Sequence, residues 1–198
     1  APYGKFDQTI QDKLSKFLSF SEKNGAYNLN PKYRFYGKRT YNSKFTDKLV
    51  NLLGPNRISN EPLTQFHKDL AYNVQWRLEK VVSSMVKFRI NKEDIQNVCL
   101  AGGVSMNCKM NGEISKIENL KRLYVQPASS DNGTALGAAC LLAIKDNQKI
   151  FDIMPHTYWG SEYKDNDIEI SIKESKLKYL KSNNISSTIA KELAKGKI

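Results

Sequence analysis

The chain is poor in cysteine, histidine and long apolar runs, and each scarcity excludes something. Its three cysteines in 198 residues, Cys99, Cys108 and Cys140, are an odd number without a CxxC spacing. That excludes a disulfide scaffold and a structural zinc site, and reads as free core thiols in a reducing, cytoplasmic compartment. The two histidines, His67 and His156, have no second histidine within helical reach, so both are expected at the surface or in packing. The longest apolar run, around residues 135–144, falls far short of the ~20 residues that a membrane span requires, and no charged segment followed by an apolar one opens the chain. Acidic residues are also short, 20 against 31 Lys and Arg, for a net charge of +11. The lysines are scattered among Asn and Ile with no stripe of arginines and aromatics, so the charge reads as solvated surface, and nucleic acid is not an expected partner.

With 40% hydrophobic residues the chain can still bury a core. It opens Ala1-Pro2-Tyr3-Gly4 without a methionine and stops just past a helical pattern at Ala194, and we read it as a segment of a longer protein. Residues 16–36 are strand-like, with Asn24-Gly25 marking a hairpin. A short helix is expected over 43–53, ended by Gly54-Pro55. Over 65–88, Phe66, Leu70, Val74, Leu78, Val81, Val82 and Met85 recur at steps of three and four, the pattern of a long amphipathic helix. Trp76 on it is expected in the core or at an interface. Beyond Asp146 the chain turns polar, with weaker helices over 168–180 and 185–194.

The informative region holds two copies of one idea. Residues 95–101 read as a buried strand, Gly102-Gly103 as a turn, and 105–117 as a helix with the stripe Met106, Met110, Ile114 and Ile117. Residues 122–126 read as a second strand, 127–133 as a polar loop, and 134–144 as a helix. Strands alternating with helices at this spacing imply parallel pairing by right-handed crossovers. Both loops then open at the carboxyl edge of the sheet, where α/β proteins bind ligands.

A Gly-Gly step there removes the side chains that would hold a ligand off, and a following helix turns free N–H groups toward the gap. Tight helix-to-sheet packing is the alternative use of the same glycines. Asn107, in the first turn, can donate to phosphate oxygens or accept from a ribose hydroxyl, while Asn111 is expected to be solvated. Asp131 is read either as the N-cap of the second helix or as a carboxylate that holds a metal or metal-bound phosphate. Gly133, Ala135, Gly137, Ala138 and Ala139 read mainly as close packing.

The segments "CLAGGVSMNCKMNGEI" and "LYVQPASSDNGTALGAA", in this register, resemble the nodulation-protein-U type of carbamoyltransferase, which also makes O-carbamoylated antibiotics. The opening "APYGK" is similar to the end of that family's GLAPYG motif, and "IAKELAKGKI" to the stretch before its GPRALG motif. The resemblance implies an α/β fold: half of an actin-like ATPase (ribonuclease-H-like) domain, a mixed sheet with parallel strands flanked by helices. Residues 1–160 would be its second subdomain and 161–198 a helical extension toward an adenylate-forming domain. It implies transfer of a carbamoyl group from a carbamoyl adenylate, made from carbamoyl phosphate and ATP, to a hydroxyl of a small-molecule acceptor. An iron-type divalent metal would assist, and the chain could act as a homodimer.

Carried over by motif, Gly102, Gly103 and Val104 would lie against the nucleotide, Asn107 near its phosphates, and Asp131 on the metal; Gly4 would also approach the nucleotide. No catalytic residue is assigned, and the isolated chain is expected to be inactive. Thr134 stands where the family often has glycine. A tRNA-modifying relative and a non-catalytic nucleotide-binding module are the competing readings.

Overall fold

The computed structural model describes residues 2–34, 45–150, 154, 156–158 and 160–197. The expected helix start at Ser43 and the end of the strand-like region at Tyr36 lie outside them. The chain divides into two compact units, Ala1–Ile150 and Phe151–Ile198.

The first unit opens with helix α1 (Gln8–Phe17), which the strand-like reading from residue 16 did not anticipate. Asp7 starts it by accepting the Ile10 N–H at 3.1 Å, and Ile10 and Leu14, one turn apart, are buried. The expected hairpin follows directly. β1 (Leu18–Phe20) pairs antiparallel with β2 (Tyr27–Leu29), Leu18 opposite Leu29 and Phe20 opposite Tyr27, and Gly25 takes a left-handed φ of 61°. Helix α2 (Asp47–Leu53) is capped by Thr46, whose hydroxyl accepts the Leu49 N–H at 3.2 Å, and ends at Gly54 with φ 108°.

Helix α3 (Gln65–Glu93) outlasts its expected end at Phe88 and stops at Asp94, which is left-handed at φ 50°. His67 serves its start, where Nδ1 accepts the Thr64 N–H at 3.2 Å. The expected apolar stripe is only partly the buried face, since Phe66 and Val74 are exposed while Asn73 and Arg77 are buried. The reason is polar docking. Asn73 Oδ1 accepts the Asp7 N–H (3.1 Å) and Gln11 Nε2 (3.0 Å), and its Nδ2 donates to the carbonyls of Lys5 (2.9 Å) and Asp69 (2.8 Å). Arg77 donates from Nε to Gln11 Oε1 (2.9 Å), from Nη2 to the Gln11 carbonyl (2.9 Å), and from Nη1 to the Leu18 carbonyl (2.7 Å). Burial pulls the guanidinium below its ordinary pKa, with Asp12 opposing. Trp76 is half-buried, edge-on to Phe6 at 5.2 Å with Lys80 over its ring.

The N-terminal segment is also held by Asp69, which accepts the Lys5 N–H at 2.7 Å and Gln65 Nε2 at 2.9 Å. These bonds, the backbone one first, hold the carboxyl below its ordinary value of 3.8. A depressed folded pKa gives a contribution complete above the unfolded value and lost as pH falls through the folded one. The Lys5 amide shift in an NMR titration is therefore expected to be flat from neutral pH to about the ordinary Asp value and to move below it; movement already between pH about 5 and 7 would refute this tether.

Both strand-helix units are present, although the first strand, read as buried, alternates exposed and half-buried residues, and its helix ends at Ile114, short of Ile117. β3 (Asn97–Leu100) and β4 (Arg122–Val125) pair in parallel, in register from Asn97 opposite Arg122 to Leu100 opposite Val125. Helix α4 (Cys108–Ile114) buries Met110 and Ile114, and the core of the unit is these with Val81 and Ile90 of α3 and Ile10 and Leu14 of α1. Met106 departs from the expected stripe and is 65% exposed, because it ends a 3-10 turn before α4 begins. Helix α5 (Gly133–Lys145) has no buried residue, and Leu141, Leu142 and Ile144 are exposed. The cysteines are free as expected, but not in the core: Cys99 lies on the exposed alternate face of β3, Cys108 is exposed at the start of α4, and Cys140 is half-buried.

The second unit contains α6 (Asp165–Glu174) and α7 (Ile185–Ala194). The helix expected over 168–180 ends earlier because Lys176 turns left-handed at φ 54°. Tyr179 then folds back, donating its hydroxyl to Glu169 at 3.0 Å, and Lys173 pairs with Glu169 at 2.7 Å. Among the described residues no helix is long and apolar enough to cross a membrane. The architecture of the described residues is α/β: helices with two small two-stranded sheets, one antiparallel and one parallel.

Candidate functional site at the carboxyl edge of the parallel strands

Parallel pairing releases both loops at one edge, and the Gln126 N–H fastens the exit of β4 to the Leu100 carbonyl at 3.0 Å. On the β3 side Gly102 has φ 96°, a conformation that only glycine adopts readily. Gly103 is not left-handed, and a Cβ placed on either glycine meets nothing within 4 Å. The space over this backbone is open.

The helix expected to begin at Ser105 begins instead as the 3-10 turn Gly103–Met106, followed by α4. Four bonds close the turn: Ser105 N–H to the Gly102 carbonyl (2.9 Å), Ser105 Oγ to the Ala101 carbonyl (2.9 Å), Asn107 N–H to the Val104 carbonyl (3.1 Å), and Asn111 Nδ2 to the Ser105 carbonyl (2.7 Å). Asn111 is thus a clamp on the turn, where solvation was expected, and its Oδ1 is buried without a partner among the described residues. The N–H groups of Gly103 and Val104 have no acceptor among the described residues. Val104 itself is 60% exposed.

Asn107 caps α4, its Oδ1 accepting the Met110 N–H at 3.0 Å. The same amide pairs with Gln75 of α3: Gln75 Nε2 donates to Asn107 Oδ1 (3.0 Å) and Asn107 Nδ2 donates to Gln75 Oε1 (2.9 Å). Sequence reasoning missed Gln75, since nothing in a polar helix position signals a partner 32 residues away.

On the β4 side Ser129 is buried and Asp131 is exposed. Asp131 is not the N-cap of α5. That position falls to Asn132, whose backbone is already helical (φ −58°, ψ −31°), and Asp131 contributes only its carbonyl, to the Thr134 N–H (3.1 Å) and hydroxyl (2.6 Å). Its side chain is left for other use. Gly133 lies so near the loop that a Cβ there would stand 2.2 Å from the Ala128 carbonyl oxygen.

Gly102, Gly103, Val104 and Asn107 are therefore brought into one loop, with Asp131 on the neighbouring one. Gly4 lies against α3, where a Cβ would fall 2.0 Å from the Lys68 carbonyl oxygen. Among the described residues no three His, Cys, Asp or Glu side chains converge, so these residues do not by themselves make a metal site.

The family described as Carbamoyltransferase N-terminus matches residues 1–140, and the chain belongs to it. It is 34% identical over 183 residues to an uncharacterised protein of Synechocystis, covering 87% of this chain and 28% of that protein. It is 30% identical over 141 residues to nodulation protein NolO of Bradyrhizobium diazoefficiens (69% and 26% covered), and 30% identical over 163 residues to nodulation protein NolNO of Sinorhizobium fredii (82% and 22%). The chain spans about a quarter of the length of these relatives.

Proposed function

We propose that this chain supplies half of an actin-like, ribonuclease-H-like domain that passes the carbamoyl group of a carbamoyl adenylate, made from carbamoyl phosphate and ATP, to a hydroxyl of a small-molecule acceptor. The observation that carries the reading is the open glycine turn at the end of β3, with its two unpartnered N–H groups, one strand away from the Asp131 loop. Gly102 and Gly103 let the nucleotide lie on bare backbone, and the N–H groups of Gly103 and Val104 are donors for its phosphate oxygens. Holding the adenylate against this wall fixes the carbonyl carbon relative to the attacking hydroxyl, the contribution that positioning makes to group transfer. Asp131 is the carboxylate of the β4 loop, and as a lone ligand it supports no step through a metal.

Gly103→Val in the full-length protein is the direct test. Its backbone is not left-handed and its Cβ meets nothing within 4 Å, so the variant is expected to keep its melting temperature. Incorporation of radiolabelled carbamoyl from carbamoyl phosphate, with ATP present, is expected to fall at least about tenfold as the isopropyl group enters the nucleotide space. Undiminished transfer would remove the nucleotide wall.

A further inference from the structure

The glycine turn is not held by β3 alone. Asn107, which ends the turn, meets Gln75 in a closed ring of two amide bonds at 2.9 and 3.0 Å, and this ring bridges α3 and the turn. The orientation of the ring is fixed from outside it. Gln75 Nε2 has two hydrogens, and the second goes to Glu79 Oε1 at 2.8 Å, one helical turn on. That carboxylate accepts only, so the NH2 of Gln75 faces it and Oε1 faces Asn107 Nδ2. Asn107 Oδ1 is then turned toward the Met110 N–H, which it caps. A flipped Gln75 would set its oxygen against both the Glu79 carboxylate and Asn107 Oδ1. Glu79, Gln75, Asn107 and Met110 are thus one chain of donors and acceptors with a single satisfied arrangement, and Asn111 adds the second hold, on the Ser105 carbonyl.

We propose that Gln75, oriented by Glu79, is a positioning residue for carbamoyl transfer: it holds the Gly102–Val104 turn in the shape that receives the nucleotide. The proposal rests on the reading of that turn as the nucleotide wall. Gln75 touches no reacting atom in this scheme and acts through Asn107.

The test is a double-mutant cycle in the full-length protein, with ATP as the probe. Gln75→Met keeps length and helix propensity and deletes both amide bonds, while Asn107→Ser keeps an N-cap but cannot complete the ring. Hydrogen exchange of peptides covering residues 101–107 is followed without ATP and across an ATP titration. Each single variant is expected to speed ATP-free exchange of this segment about tenfold and to raise the ATP concentration for half-protection by about the same factor, with the melting temperature nearly unchanged. The double variant is expected to match the singles, because either change already opens the ring. Effects that multiply in the double variant, or exchange over 101–107 indifferent to Gln75→Met, would overturn the proposal. A normal response of the ATP-free rates with no ATP protection of the wild-type segment would refute the nucleotide wall, and with it any part for Gln75 in transfer.

Discussion

Arg77→Met is expected to destabilise the first unit by about 3–5 kcal/mol, seen as a large drop in the urea midpoint. Arg77 is 8% exposed, and the three bonds of its guanidinium reach Gln11 Oε1, the Gln11 carbonyl and the Leu18 carbonyl. One side chain thereby joins α1, the start of β1 and α3. Methionine fills most of the same volume, so the loss is not a cavity. It is the loss of three hydrogen bonds, two of them buried, a buried carbonyl oxygen costing about 1–3 kcal/mol when left unmet. Folded domains are stable by only ~5–15 kcal/mol, so this single change takes a sizeable share. Arg77→Lys is expected to recover little, because an ammonium cannot reproduce the planar fork that serves three acceptors. A loss under about 1 kcal/mol for Arg77→Met would show that the three bonds are offset by the cost of burying the charge.

The same arginine shows where sequence reading stops. Phe66, Val74 and Val81 announce an amphipathic α3 by their spacing, and the helix is there. Yet Asn73 and Arg77, which lie outside that spacing, are buried deeper than Phe66 or Val74. A polar side chain inside a helix carries no mark of whether water or a distant backbone satisfies it, and the partners of Asn73 and Arg77 lie 59 to 68 residues away, apart from the Asp69 carbonyl. α1 was hidden for a related reason: its apolar content is chiefly Ile10 and Leu14, too few to set a period against its Lys, Gln and Asp.

By contrast, the β3 and β4 loops were legible because their cause is local. A strand pattern broken by Gly102-Gly103 can continue in few ways, and Met110 and Ile114 at spacing four place the helix that follows. What spacing could not give was the 3-10 turn. That depends on Ser105 and Asn111 bonding back to the loop, and neither bond has a period. Asn107 was singled out for its position in the first turn, whereas Gln75, its partner, needed the fold to bring it there.

On the function proposed above, Gly133→Ala is expected to cost about a hundredfold in carbamoyl transfer by the full-length protein, although helix propensity alone favours alanine by ~1 kcal/mol. Gly133 opens α5 with an unremarkable φ, so the objection to a methyl group is one of space: its Cβ would lie 2.2 Å from the Ala128 carbonyl oxygen and 3.3 Å from the carbonyl carbon. Both are backbone atoms and cannot swing aside as a side-chain tip would. The loop from Ala128 must then open, breaking the Gly133 N–H bond to the Ser130 carbonyl (3.0 Å) and disturbing buried Ser129, with Asp131 carried along between them. A shift near 1 Å in a positioned group costs on the order of a hundredfold in rate. Gly137→Ala, one turn further along α5 with nothing within 4 Å of its Cβ, is the matched control and is expected to leave transfer intact. If the two variants transfer carbamoyl equally, the placement of Asp131 by this loop does not matter to the reaction, and the site reduces to the glycine turn alone.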